Sequence, residues 1–191
     1  MSSSAAAYLV DPKKMLSVIG SSDEGVAASA SAFYDEQYGG FMFAPEAAGV
    51  SYATALREVL AGGPYETGSA AQYVTAFDTV IQAVAERRLN DQWGEGLGAR
   101  WLSDRLDRLI GEAGCSFRFG NVLFREQNVY GLPSSDEPIV ARVSRLEASG
   151  IVLEMEGVSL QDPECQETLD GFVASCRDVV NTECEMIIVY S

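Results

Sequence analysis

Apolar residues recur along the chain in blocks whose spacing switches between the two regular periods, two for a strand and about 3.6 for a helix. Ala5–Val10 is a small-to-apolar run that predicts a short strand. Asp11 follows as an N-cap with Pro12 at the first helical position, and Met15, Leu16 and Ile19 share one face until Gly20. A second helix is expected from Ser22, with Asp23 and Glu24 at the positive end of its dipole and Val26, Ala30 and Phe33 turned inward, ending before Gly39-Gly40. Residues 34–50 mix Tyr34, Tyr38, Phe41 and Phe43 with Gly39, Gly40, Pro45 and Gly49. That composition supports neither period and predicts a structured loop.

Ser51 caps a helix through Leu60 that Gly62-Gly63-Pro64 breaks. A longer helix is expected over 69–89, with Tyr73, Phe77, Val80, Ile81 and Val84 on its apolar face. Another over 97–112 buries Leu102, Leu106, Leu109 and Ile110, and Gly114 closes it. Val122, Leu123 and Phe124 suggest a short strand, Pro138 starts a helix through Ala148, and alternation through Leu153, Glu154, Met155 and Glu156 suggests a strand over 151–158. Asp162-Pro163 opens a helix to Val180, and Glu185–Tyr190 is apolar enough for a buried final strand. A strand at each end must find hydrogen-bonding partners. The expected class is therefore α+β: a helix-rich single domain over 1–191, with a small sheet that includes the N- and C-terminal strands.

Length and composition agree with that reading. A chain of 191 residues can bury about 70% of its unfolded surface around one core. The first residues put no basic group ahead of Ala5–Val10, unlike a signal peptide, and no run approaches the ~18 apolar residues of a membrane span. A cytoplasmic, non-membrane protein is expected. Cys115, Cys165, Cys176 and Cys184 show no C-x-x-C spacing, so free thiols are expected, with Cys176 on an apolar helical stripe as a core residue.

Charge changes the picture more. The net charge is −15, and residues 151–191 hold nine carboxylates against Arg177 alone. Such a field repels nucleic-acid backbones and steers basic proteins inward. The chain also has no histidine, which removes Ser-His-Asp, Cys-His and H-E-x-x-H chemistry. Lys13 and Lys14 lack the S-x-x-K spacing of a Ser-Lys hydrolase, and Gly49-Val50-Ser51-Tyr52-Ala53 lacks the second glycine of a nucleophile elbow. Gly94-Glu95-Gly96-Leu97-Gly98-Ala99 spells G-x-G-x-x-A but follows Asn90-Asp91-Gln92-Trp93 rather than an apolar strand, so a helix-helix connection is expected. Seven arginines between 86 and 126 are balanced by seven carboxylates, and Arg100, Asp104 and Arg108 have the spacing of a salt-bridge ladder.

Two candidate binding groups remain. Glu154, Glu156, Asp162 and Glu164 form the densest carboxylate set, although Asp162 and Glu164 also serve as a helix cap and a first-turn acid. Tyr34, Asp35, Glu36, Tyr38 and Phe41 mix aromatics with acids as protein interfaces do.

Two stretches are similar to an uncharacterised bacterial family, mainly actinobacterial and high-GC. They are Tyr8, Leu9, Val10 and Asp11 with Leu16 and the run Ile19 to Glu24, and, after the last helix, Glu185, Met186, Ile187, Ile188, Val189 and Tyr190. The resemblance implies paired terminal strands and a bacterial cytoplasmic origin, and it transfers no catalytic residue. The expectation is a non-enzymatic acidic interaction protein without a cofactor, immunity- or antitoxin-like or a regulatory partner of a basic protein. The alternative is a carboxylate-based enzyme or a small-ligand or metal-binding domain.

Overall fold

The computed structural model describes residues 5–38, 49–66, 68–93, 99–124, 129–133 and 139–190. Four strands, β1 (Ala5–Val10), β2 (Arg87–Trp93), β3 (Ile139–Val143) and β4 (Glu185–Tyr190), form one sheet in the order β2-β1-β4-β3, antiparallel at every step. The terminal strands are the inner pair, in register from Ala5 opposite Tyr190 to Val10 opposite Glu185. These strands thus have a partner strand on both sides, which suits their mostly apolar side chains.

Both faces of the sheet are covered. Ala7, Leu9, Met186 and Ile188 point into one core, against α5 (Ala99–Glu112), α6 (Gly120–Leu123), α7 (Arg145–Met155) and α8 (Pro163–Val180). Tyr8, Val10, Ile187 and Val189 point into the other, against α1 (Pro12–Val18), α2 (Glu24–Tyr38), α3 (Tyr52–Ala61) and α4 (Ala70–Val84). The class is α+β, helix-rich, with the terminal strands paired as the sequence implied.

Local signals that specify a hydrogen bond are realised. Asp11 accepts from Lys13 N, Ser51 from Thr54 N and Asp162 from Cys165 N, each at the start of its helix. Gly62 closes α3 at φ 77°, a left-handed position where a Cβ would be strained. All four cysteines are free, and Cys176 is buried.

Five expectations need correction. Residues 34–38 are not loop but the end of α2, where Tyr34 stacks on Tyr52 of α3. The helix expected over 69–89 stops at Val84, and residues 87–93 become β2, paired along the open edge of β1. An edge strand with Arg87 and Arg88 exposed has little apolar alternation to advertise it. Residues 122–124 are not a strand: Val122 and Leu123 lie in the single turn of α6. The helix expected from Pro138 begins only at Arg145; Ile139, Ala141 and Val143 are the buried alternate positions of β3, and Ser144 forms a capping box with Glu147. Residues 151–155 are helical rather than extended, because Ala148, Ile151 and Met155 make the buried stripe of α7. A strand, β2, and not a helix precedes Gly94, contrary to the expected helix-helix connection. That strand is a polar, antiparallel edge strand, unlike the parallel strand that feeds a phosphate loop. Residues 94–98 themselves lie outside the described residues.

Candidate interaction surface

Helices α7 and α8 form an antiparallel hairpin on one face of the sheet, and Arg145 Nε at the start of α7 donates to the Val180 carbonyl at the end of α8, 3.0 Å away. Toward the core, α7 presents Ala148, Ile151 and Met155. Its opposite line carries Leu146, Gly150 and Leu153, with Leu146 83% and Leu153 74% exposed. A surface helix ordinarily has polar residues there. Because i and i+7 lie two turns apart on one line, the two leucines flank Gly150, where a Cβ would meet nothing within 4 Å. The result is an apolar strip with open space at its middle.

Carboxylates crowd one end of this strip. Glu154 accepts from the Ser116 hydroxyl, and that bond holds its carboxyl below the usual carboxylate range. Glu156 is exposed beside it. Across the hairpin turn, Asp162 caps α8 and receives Arg105 of α5, which also reaches Glu164 at 3.5 Å. The Cys165 amide above all, and then Arg105, depress the Asp162 pKa. Arg105 stacks over the half-exposed Trp101, 4.8 Å from the ring centroid. Along α8, Glu164, Glu167 and Asp170 follow one another on the solvent side. At the far end of the hairpin, Arg145 and Arg177 are exposed. The surface is therefore apolar along α7 and acidic where the hairpin turns, with arginines interspersed among acids at its open end.

The structure puts Glu154, Glu156, Asp162 and Glu164 at the turn end of this hairpin, as their sequence proximity suggested, but three of them are already engaged, Glu154 by Ser116 and Asp162 and Glu164 by Arg105. The aromatic group lies elsewhere. Tyr34, half-buried, stacks on Tyr52 of α3, while Asp35 and Glu36 are exposed on α2. Tyr38 is the last residue of α2, and Phe41 lies outside the described residues. Since α2 and α7 cover opposite faces of the sheet, the two groups belong to different surfaces. Among the central arginines, Arg108 pairs with Glu112 at 2.8 Å and Arg100 lies over the Phe124 ring at 5.1 Å, so Arg108 bonds forward along α5.

Leu146 and Leu153 escape a reading of charges. Their signal is two leucines seven apart in a stretch whose core stripe is already complete without them.

The chain belongs to the DUF7691 family, a domain of unknown function whose family model matches residues 1–191. No curated protein and no solved structure matches the chain.

Proposed function

We propose that this member of the DUF7691 family acts by docking, and that the outer face of α7 and α8 receives a basic amphipathic helix of a partner protein. The observation that carries the reading is the pair Leu146 and Leu153, exposed in line on a helix whose other face already packs on the core. Covering each leucine stabilises a complex by about 1.5–3 kcal/mol before ordering costs. The net charge of −15 and the run Glu154, Glu156, Glu164, Glu167 and Asp170 favour lysines and arginines around the partner's apolar stripe. Arg145 and Arg177 at the other end distinguish the two ends of this face, so the partner's acidic residues belong beside them. An immunity-like, antitoxin-like or regulatory role fits such a surface. A bacterial cytoplasmic setting is supported by eleven arginines to two lysines, a high-GC bias, and by the terminal motifs.

The reading of a carboxylate-based enzyme or metal site at Glu154, Glu156, Asp162 and Glu164 has less support, because Ser116, Arg105 and the Cys165 amide already occupy three of these groups. A synthetic lysine-rich helix with leucines at i, i+3 and i+7, titrated against the full chain, tests the proposal. Binding should weaken with rising salt and drop at least tenfold in L146S/L153S. Equal affinity for the double variant would mean that charge alone attracts the peptide.

A further inference from the structure

Trp101 opens to solvent on α5, beside the acidic turn of the α7–α8 hairpin. Two contacts set α5 against that turn: Arg105 in its middle reaches Asp162 and Glu164 at the start of α8, and Ser116, shortly past its end, bonds Glu154 of α7. Trp101 lies one turn before Arg105 and is 48% exposed. The Arg105 guanidinium covers one face of the indole, 4.8 Å from the ring centroid. With that face taken, the exposed area belongs to the rest of the ring.

Asp104 stands on the same side of the helix, at i+3 from Trp101, and is exposed. Its spacing from Arg100 and Arg108 predicts a ladder of ion pairs, but the Arg100 guanidinium lies over the Phe124 ring at 5.1 Å and Arg108 bonds Glu112 at 2.8 Å. Asp104 therefore has no ion pair among the described residues, and Arg105, its neighbour in the chain, is held by Asp162 and Glu164. An indole and an unneutralised carboxylate one helical turn apart suit a planar cation. The ring attracts it through its quadrupole, and the carboxylate accepts two of its N–H groups in a fork. A lysine ammonium is a compact point charge that can use only part of this.

We propose that Trp101 and Asp104 form an arginine seat: an arginine of the docked partner lies on the open part of the indole and donates to the Asp104 carboxylate, so the partner is selected for arginine over lysine there. The inference rests on the docking reading, which puts a basic helix on α7 and α8, and it extends that surface past the acidic turn onto α5. Arg105 is a positioning residue. Held by Asp162 and Glu164, it backs the indole from behind, and those two carboxylates offset its charge, so that the negative charge of Asp104 is left over for the incoming cation.

Two synthetic helices with the same leucines, one with lysine and the other with arginine at every basic position, are titrated against the full chain. The arginine version should bind wild type about fivefold more tightly. In W101L, which keeps an apolar side chain but no ring, and in D104N, the two peptides should bind within about twofold of each other, while both still depend on Leu146 and Leu153. Equal affinity of the two peptides for wild type, or an arginine preference that survives in W101L or in D104N, would overturn the seat. If binding nonetheless falls in L146S/L153S, the docking reading stands without it; if neither peptide binds, both fail. Because D104N alters only an exposed carboxylate, it decides the matter even where W101L disturbs the Arg105 stack.

Discussion

Tyr34 lies flat on Tyr52, with ring centroids 3.6 Å apart and planes within 12° of each other. This contact joins α2 to α3, and the Tyr52 hydroxyl extends it to α4, lying 2.9 Å from the Thr79 hydroxyl as well as near the Ala30 carbonyl. Y52F keeps the stack and loses the polar end. It should cost about 1 kcal/mol. Y34A removes the stack and should cost about 0.5–1.5 kcal/mol beyond the area it buries. Urea unfolding midpoints read both, and an unchanged midpoint for Y52F would remove the hydroxyl from the account.

Asp107 and Gly120 make a second dependent pair. The Asp107 carboxylate accepts from the Phe119 and Gly120 amides and so holds the turn of α6 against α5. Burial pushes its carboxyl pKa up, while those two amides pull it down. A Cβ on residue 120 would sit 2.9 Å from Asp107 Oδ2, so a side chain there would have to push the carboxylate off the amides it accepts from. G120A and D107A should each destabilise by about 1–3 kcal/mol. Thermal unfolding of the two single variants and the double variant should show clear non-additivity, since both remove the same contact.

The α8 cap predicts how the protein responds to acid. Asp162 has its pKa lowered by the Cys165 amide and Arg105. A depressed carboxyl contributes stability that is present above its ordinary value of 3.8 and is lost as pH falls through the lowered one. D162N keeps an amide-accepting cap but cannot titrate. Its stability should therefore fall less than wild type over the same acid interval, and circular dichroism during acid titration would record the difference. Identical acid profiles would show that the cap charge is not linked to folding.

Much of this fold is legible where one residue commits a hydrogen bond. Asp11-Pro12, Ser51 and Asp162-Pro163 start their helices because a side-chain oxygen meets a free amide there, and that chemistry is local. The inner strands are legible because both faces are buried. What is hidden depends on partners distant in sequence. Arg87–Trp93 is extended only because β1 offers it an edge, and Ile139–Val143 because β4 does. Taking 151–158 as extended also hid the docking strip: only on a helix do Leu146 and Leu153 fall in line, opposite Ile151. The carboxylates of that region are visible as a set, yet Arg105 and Ser116, which engage three of them, come from more than thirty residues away.

The docking account is tested most directly by mapping where the basic amphipathic peptide lands. In a backbone amide chemical-shift titration of the full chain, the account predicts that perturbations concentrate on Arg145–Met155 and on the solvent side of Pro163–Val180. Leu146, Gly150 and Leu153 should be among the strongest, and the pattern should collapse in L146S/L153S. Perturbations centred on α2, or spread evenly over every exposed carboxylate, would contradict it.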